Sequence, residues 1–169
     1  ISPFFIDSQQ RTTLYQQQQS TSQMAVSYPS GFSFAEKKGF KEEEQHLNAA
    51  IKATQDKLGS DWTLTVDWEA FENQIKEANK RKFLGVYIYQ RYLGGAVAKE
   101  IAEWTDLAEA INDKVKGKKI VVTAKVVQQK YAVTVSEESI ELALKPEMIE
   151  YSYPIDSKST FTKLVEQQV

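Results

Sequence analysis

The most extended pattern of apolar and polar positions in the chain covers residues 94–127. After the Gly94-Gly95 pair, apolar residues recur at steps of three and four, which predicts one helix over 96–116 that begins after a break at the glycines. The β-branched run over 120–127 then indicates a buried strand. The apolar stripe of the predicted helix consists of Val97, Ile101, Trp104, Leu107, Ala108, Ile111 and Val115.

A second helical pattern covers residues 36–58. Ser33 and Glu36 have the spacing of a capping box, in which each side chain bonds to the other residue's backbone N–H. Gly59 is typical of the residue that follows a helix. The apolar face predicted for this helix comprises Phe40, Leu47, Ile51 and Leu58.

Residues 62–68 alternate strictly between apolar and polar side chains, which predicts a half-buried strand. Asp67 lies at the end of this strand, and we interpret it as the N-cap of a helix over 69–80. The next segment, 83–93, fits neither period, because its apolar residues cover both faces of a helix or a strand. Helical patterns flank it, so we interpret it as helix.

Later segments complete a sheet. Residues 131–135 and 140–144 predict two strands joined by a turn, and 148–153 is a candidate for a further strand. The sequence therefore predicts an α+β domain, an antiparallel sheet of three or more strands with about three helices packed on one face. The residues expected in its core are Trp62, Leu64, Val66, Trp68, Trp104, Ile111, Ile120, Val122 and Leu142.

The chain divides into three regions by composition. Residues 1–30 form an arm rich in Gln, Ser and Thr, 31–155 form the single α+β domain, and 156–169 form a C-terminal tail. The arm has two interpretations. It is either a flexible polar segment or an extended segment whose scattered apolar residues pair with a sheet of its own chain or of a partner.

Composition excludes several kinds of chemistry. The chain has no cysteine and one histidine, His46, so thiolate catalysis and cysteine-based metal sites are excluded, and we predict no metal and no cofactor. Glu43 and His46 have a metal-ligand spacing, but no second motif of that type supplies the remaining ligands. No nucleophile elbow, dinucleotide fingerprint or phosphate-binding loop is present. The sequence therefore favours a protein without enzymatic activity, with a carboxylate-based hydrolase as the weakest alternative.

Charge limits the partners. The formal net charge is −2, which argues against a general electrostatic grip on nucleic acid, and no apolar run is long enough to span a membrane. One segment, which we call the interleave, alternates basic and aromatic residues. Proteins that stack the bases of single-stranded nucleic acids use such residues, and so do helices that lie on a membrane surface. Neither nucleic acid nor a membrane surface is favoured over the interpretation that these aromatic residues pack in the core. The sequence does not indicate a cellular compartment. The interleave consists of Lys80, Arg81, Lys82, Tyr87, Tyr89, Arg91 and Tyr92.

Two classes of function remain. The first is a non-enzymatic interaction module, a subunit or adaptor that binds a protein partner or itself through the arm or an aromatic patch. The second is a binding protein for a small apolar or carbohydrate ligand in a pocket lined by Trp and Tyr. The candidate binding residues are Tyr87, Tyr89, Arg91, Tyr92, Tyr15 and Phe5.

Overall fold

The computed structural model of the chain describes Tyr28, residues 31–148 and residues 160–169. Apart from Tyr28, the predicted arm over 1–30 lies outside the described residues. The strand predicted over 148–153 also lies outside them, except for Met148, which ends a short 3₁₀-helix.

The described residues form helices and strands in the following order. The elements are α1 (Phe34–Leu58), β1 (Thr63–Val66), α2 (Trp68–Gln74), α3 (Ala78–Arg81), a π-helix (Gly85–Val97), α4 (Ala98–Glu103), α5 (Asp106–Lys114), β2 (Lys119–Ala124), β3 (Tyr131–Val135), β4 (Ile140–Leu144), a 3₁₀-helix (Pro146–Met148) and α6 (Thr160–Glu166).

Helix α1 confirms the capping prediction. The Ser33 side chain accepts a hydrogen bond from the Glu36 N–H, and the Glu36 carboxylate accepts one from the Ser33 N–H. Gly59 follows the helix with φ 124°, a backbone conformation that residues with a Cβ rarely adopt. The N-cap role of Asp67 is also confirmed, because its side chain accepts a hydrogen bond from the Ala70 N–H at the start of α2.

The four strands form a mixed sheet in the order β1-β2-β4-β3. The α+β class is therefore confirmed, but the prediction of a purely antiparallel sheet is wrong. Strand β2 is parallel to both β1 and β4, and only the β3–β4 pair is antiparallel. The helices between β1 and β2 return the chain to the same end of the sheet, and such a crossover makes two neighbouring strands parallel. The described helices also outnumber the three predicted.

The prediction of one helix over 96–116 is also wrong. The chain is helical through Gly94 and Gly95, and the interruption falls instead at Trp104, whose backbone is extended (φ −65°, ψ 126°). The interruption turns the Trp104 indole toward α6. There it stacks on Phe161, with ring centroids 5.7 Å apart, and donates a hydrogen bond of 2.9 Å to Thr162 Oγ1. The helix predicted over 69–80 is similarly divided into α2 and α3.

One hydrophobic core joins the sheet and the helices. The predicted core residues are buried, apart from Val66, which is partly buried. Helix α6 belongs to the same core, because Phe161 and Val165 are fully buried. It lies within the segment predicted as a C-terminal tail.

The C-terminal residues cover one edge of the sheet. The Gln168 side chain accepts a hydrogen bond from the Val135 N–H and donates one to the Val133 carbonyl oxygen, each at 2.9 Å. These two backbone groups lie on the edge of β3 that β4 does not occupy. A side-chain amide thus takes the place of a neighbouring strand, and this protects the edge from pairing with another chain.

Candidate functional site

The buried residues of the π-helix follow a spacing of their own, which we call its burial rhythm. Buried residues occur as adjacent pairs that recur after four, four and five residues, and hydrogen bonds from residue i to i+5 give such a helix more than four residues per turn. The Ala98 N–H, for example, bonds to the Leu93 carbonyl oxygen. This rhythm directs one face of the helix into the core along its whole length. The buried pairs are Leu84 and Gly85, Ile88 and Tyr89, Tyr92 and Leu93, and Val97 and Ala98.

This rhythm divides the predicted binding residues. Tyr89 and Tyr92 face the core and are buried, whereas Tyr87 and Arg91 are half-buried on the other side of the helix. Tyr15 and Phe5 lie outside the described residues.

A row of rings and cations runs from the turn before the π-helix onto the outward side of that helix, exposed at Lys82 and Phe83 and half-buried at Tyr87 and Arg91. Phe83 is 47% exposed, and its ring centroid lies 6.3 Å from that of Tyr87. Lys82 Nζ lies 4.8 Å from the Phe83 centroid, and Arg91 Cζ lies 5.0 Å from the Tyr87 centroid. Both separations are those of cation–π contacts. We call these four residues, Lys82, Phe83, Tyr87 and Arg91, the aromatic–basic patch.

The segment that carries the patch is fixed to α1 by an ion pair. Arg81 Nε lies 2.9 Å from Glu36 Oε1, and the Glu36 side chain is only 4% exposed. Burial opposes ionisation of Glu36, but the hydrogen bonds from Ser33 and Arg81 outweigh it and lower the pKa of Glu36 below its usual value. The ionised carboxylate therefore holds the residue that directly precedes the patch.

Two glycines bring the π-helix close to α1 beside the patch. A Cβ added at Gly85 would lie 3.0 Å from the Gly39 carbonyl oxygen and 3.0 Å from Phe40 Cα, so the two backbones are nearly in contact. Further along, a Cβ added at Gly94 would lie 2.9 Å from the Cβ of His46. The order of these contacts is the same along both helices, so α1 and the π-helix are parallel. The patch therefore rests on closely packed helices.

Behind the patch, Tyr89 belongs to a buried aromatic cluster. Its ring centroid lies 5.6 Å from that of Trp68 and 6.0 Å from that of Phe40, and Tyr28 stacks on Phe40 at 5.3 Å. Burial raises the pKa of Tyr89 well above its usual value, and Tyr28 and Glu44 add to this shift. Within the described part of the chain, the Tyr89 hydroxyl has no hydrogen-bond partner.

Tyr92 connects the π-helix to another part of the core. Burial raises the pKa of Tyr92, the neighbouring Tyr131 raises it further, and Arg91 opposes the shift. Both buried tyrosines are therefore neutral packing residues at physiological pH.

Among the described residues, the single histidine belongs to no group that could hold a metal ion. His46 Nε2 lies 3.5 Å from Glu43 Oε2, and its ring packs against Gly94. Over residues 31–148 and 160–169, no group of three or more His, Cys, Asp or Glu side chains is placed to hold a metal ion. Among the helices that the structure describes, none has both the length and the apolar character needed to cross a membrane.

Phe83 is absent from the predicted binding residues, although its spacing from Tyr87 and Arg91 indicates that the three belong together. Phe83, Tyr87 and Arg91 are spaced four residues apart, which places them in a row on a helix surface. The interleave of basic and aromatic residues predicts this segment as a candidate without separating its buried face from its outward face.

Comparisons with known proteins gave no relative for this chain: no protein-family model, no curated protein and no solved structure matches it.

Proposed function

We propose that this chain is a non-enzymatic interaction module that binds a protein partner through the aromatic–basic patch. The observation that carries the proposal is the exposure of Phe83, at 47%, beside Tyr87 and directly before a helix that packs one face into the core. Aromatic residues and arginine are enriched among the residues that contribute most to protein interfaces. Here two rings and an arginine lie together on one surface.

The patch is also suited to binding because its support is closely packed. Arg81 is held by Glu36, and the backbones approach closely at Gly39 and Gly85. A partner that binds a preorganised surface does not have to immobilise it, so less binding free energy is lost to ordering.

The N-terminal arm is proposed as a second element of the interaction. Its composition is polar and nearly uncharged, and ordering it would cost about 1–2 kcal/mol of backbone entropy per residue. Its scattered apolar residues would recover that cost against a surface that is already folded, such as a sheet edge of a partner.

The alternative function, a small apolar or carbohydrate ligand in a pocket lined by Trp and Tyr, has less support. The Trp68, Phe40 and Tyr89 rings lie 4.5–6.0 Å apart, which is the distance of direct ring contact. These rings therefore pack on one another.

The proposal is tested by affinity recovery of partners from an extract of the source cells. Three chains are compared, namely the wild type, a patch variant (Phe83→Ser with Arg91→Ser) and a control variant (Lys99→Ser with Lys116→Ser) that changes exposed residues elsewhere. We expect a defined set of proteins to be recovered with the wild type and the control but not with the patch variant. Equal recovery by the patch variant, with an unchanged thermal midpoint, would exclude the patch as the binding surface.

The role of the arm is tested by truncation. Tyr28 packs on Phe40, so the informative truncated chain begins at Ser27 and retains this contact. We expect its thermal midpoint to stay within a few degrees of the full chain while self-association or partner binding is lost. If this truncated chain unfolds, the arm is an integral part of the fold and the proposed role of the arm fails.

A further inference from the structure

The two cations of the aromatic–basic patch differ from the basic residues beside them. Lys80 pairs with Glu77 at 3.1 Å, and Arg81 pairs with Glu36 at 2.9 Å. Neither Lys82 nor Arg91 lies within ion-pair distance of a carboxylate on any described residue. The patch therefore presents two positive charges that no described carboxylate compensates, one at each of two neighbouring rings.

The positions of these cations restrict what the rings can bind. Lys82 lies over the Phe83 ring and Arg91 lies over the Tyr87 ring, so each cation covers part of one ring face. A side chain that packs against the exposed Phe83 ring lies close to Lys82, and Arg91 lies over the neighbouring ring. The complementary surface is an apolar group flanked by negative groups.

Carboxylates suit these two cations better than phosphodiesters or lipid headgroups do. Single-stranded nucleic acid gains a salt-dependent affinity with a slope of about −0.7 per neutralised phosphate, so two cations provide little grip. Recognition of anionic membranes uses clusters of about four to eight Lys or Arg residues. The chain as a whole has a net charge of −2, which disfavours both polyanions. A short acidic peptide needs only two well-placed charge contacts, and the Arg91 guanidinium can bind a carboxylate through two parallel hydrogen bonds.

We infer that the occupant of the aromatic–basic patch is an acidic segment of a partner protein, with an apolar side chain on the exposed Phe83 ring and carboxylates at Lys82 and Arg91. This inference rests on the proposed function and adds the chemical class of the partner.

The test is a selection of short random peptides displayed on phage against the full chain. Peptides that also bind a variant without the patch (Lys82→Ser, Phe83→Ser and Arg91→Ser) are removed by counter-selection. The circular-dichroism melting curve of this variant is compared with that of the wild type, to show that the fold is retained. Selected peptides are then synthesised, and their affinities are measured for the wild type, Lys82→Ala, Arg91→Ala and the control Lys99→Ala.

We expect the selected peptides to be rich in Asp and Glu around an apolar residue. Each of Lys82→Ala and Arg91→Ala should weaken binding about tenfold, as loss of one charge-assisted hydrogen bond does, and Lys99→Ala should not change it. Replacing the acidic residues of a selected peptide by Asn and Gln should have the same effect as removing both cations.

Other outcomes separate the inference from the proposed function. Patch-dependent peptides without an excess of acidic residues would overturn the acidic-segment inference and leave the interaction module standing. Failure to select any patch-dependent peptide would overturn both. Oligothymidylate and vesicles that contain phosphatidylserine are tested in parallel, and binding of either that is stronger than that of the peptides and is lost with the patch would overturn the inference in favour of that polyanion.

Discussion

Helix α1 and the π-helix run side by side in the same direction, with Gly39 beside Gly85 and His46 beside Gly94. They are stabilised in different ways. α1 begins at a capping box, and its buried polar residue Glu36 has hydrogen-bond partners in Ser33 and Arg81. The π-helix has no side-chain cap at either end.

The difference extends to the buried polar atoms of the two helices. Thr54 in α1 donates a hydrogen bond of 2.8 Å to the Ala50 carbonyl oxygen, whereas the Tyr89 hydroxyl in the π-helix bonds to no described group. The buried polar side chains of α1 are thus hydrogen-bonded, whereas the buried Tyr89 side chain of the π-helix has only packing contacts among the described residues. Because π-helical geometry is rare and often occurs at functional sites, the position of the aromatic–basic patch at the start of this helix agrees with the proposed function.

The largest effect is expected at Trp104, where the continuous helix formed by the π-helix and α4 ends. Trp104→Ala should destabilise the protein by about 3–5 kcal/mol, because the side chain is 3% exposed and loses its contacts with Phe161 and Thr162. The exposed Lys99→Ala in α4 should change the free energy of unfolding by less than about 0.5 kcal/mol. Both are measured by denaturant unfolding. Equal midpoints for the two variants would show that packing does not hold this end of the helix.

An intermediate effect is expected at the start of α1. Glu36→Gln keeps an acceptor for the Ser33 N–H but removes the charge that pairs with Arg81, and it should cost about 2 kcal/mol near pH 7. Because the folded-state pKa of Glu36 is lowered, its ionisation stabilises the protein above the unfolded-state pKa of about 4.3. That contribution is lost as pH falls through the folded-state value. The difference between wild type and variant should therefore shrink in acid, and a pH-independent difference would assign the cost to lost packing.

The smallest effect is expected at Tyr89. Tyr89→Phe should change stability at neutral pH by less than about 0.5 kcal/mol or increase it, because the hydroxyl that it removes makes no hydrogen bond to a described residue. Since burial raises the folded-state pKa, the wild type should lose stability as pH rises above the unfolded-state value of about 10. The variant should lose less. Thermal unfolding between neutral and alkaline pH measures both effects, and a loss above about 1 kcal/mol at neutral pH would indicate a bonded hydroxyl.

The same contrast explains which elements the sequence predicted. The capping box, the 3.6-residue period and the terminal Gly59 of α1 are local signals, and all three were read correctly. Strand partners are not local, since Thr63 aligns with Lys119, and the strand patterns predicted strands without their relative directions.

The π-helix was harder to predict because its buried residues follow neither period used for α-helices and strands. The sequence predicts a break at Gly94 and Gly95, because glycine weakens helices. In the structure the helix continues through both residues, and the missing side chain at Gly94 leaves room for the His46 side chain. Four of the six candidate binding residues lie on this segment, and their division between core and surface depends on the i→i+5 register.

The central claim is therefore that the π-helix has i→i+5 hydrogen bonds. This register places Tyr89 and Tyr92 in the core and the aromatic–basic patch outside it. Scalar couplings across hydrogen bonds, measured by NMR on the deuterated protein, report it directly, because they link an amide nitrogen to the carbonyl carbon that accepts its hydrogen bond. The structure predicts a coupling between the Ala98 nitrogen and the Leu93 carbonyl carbon. A coupling from Ala98 to Gly94 instead would indicate an α-helix, would rotate the segment relative to the core, and would contradict the account of the patch.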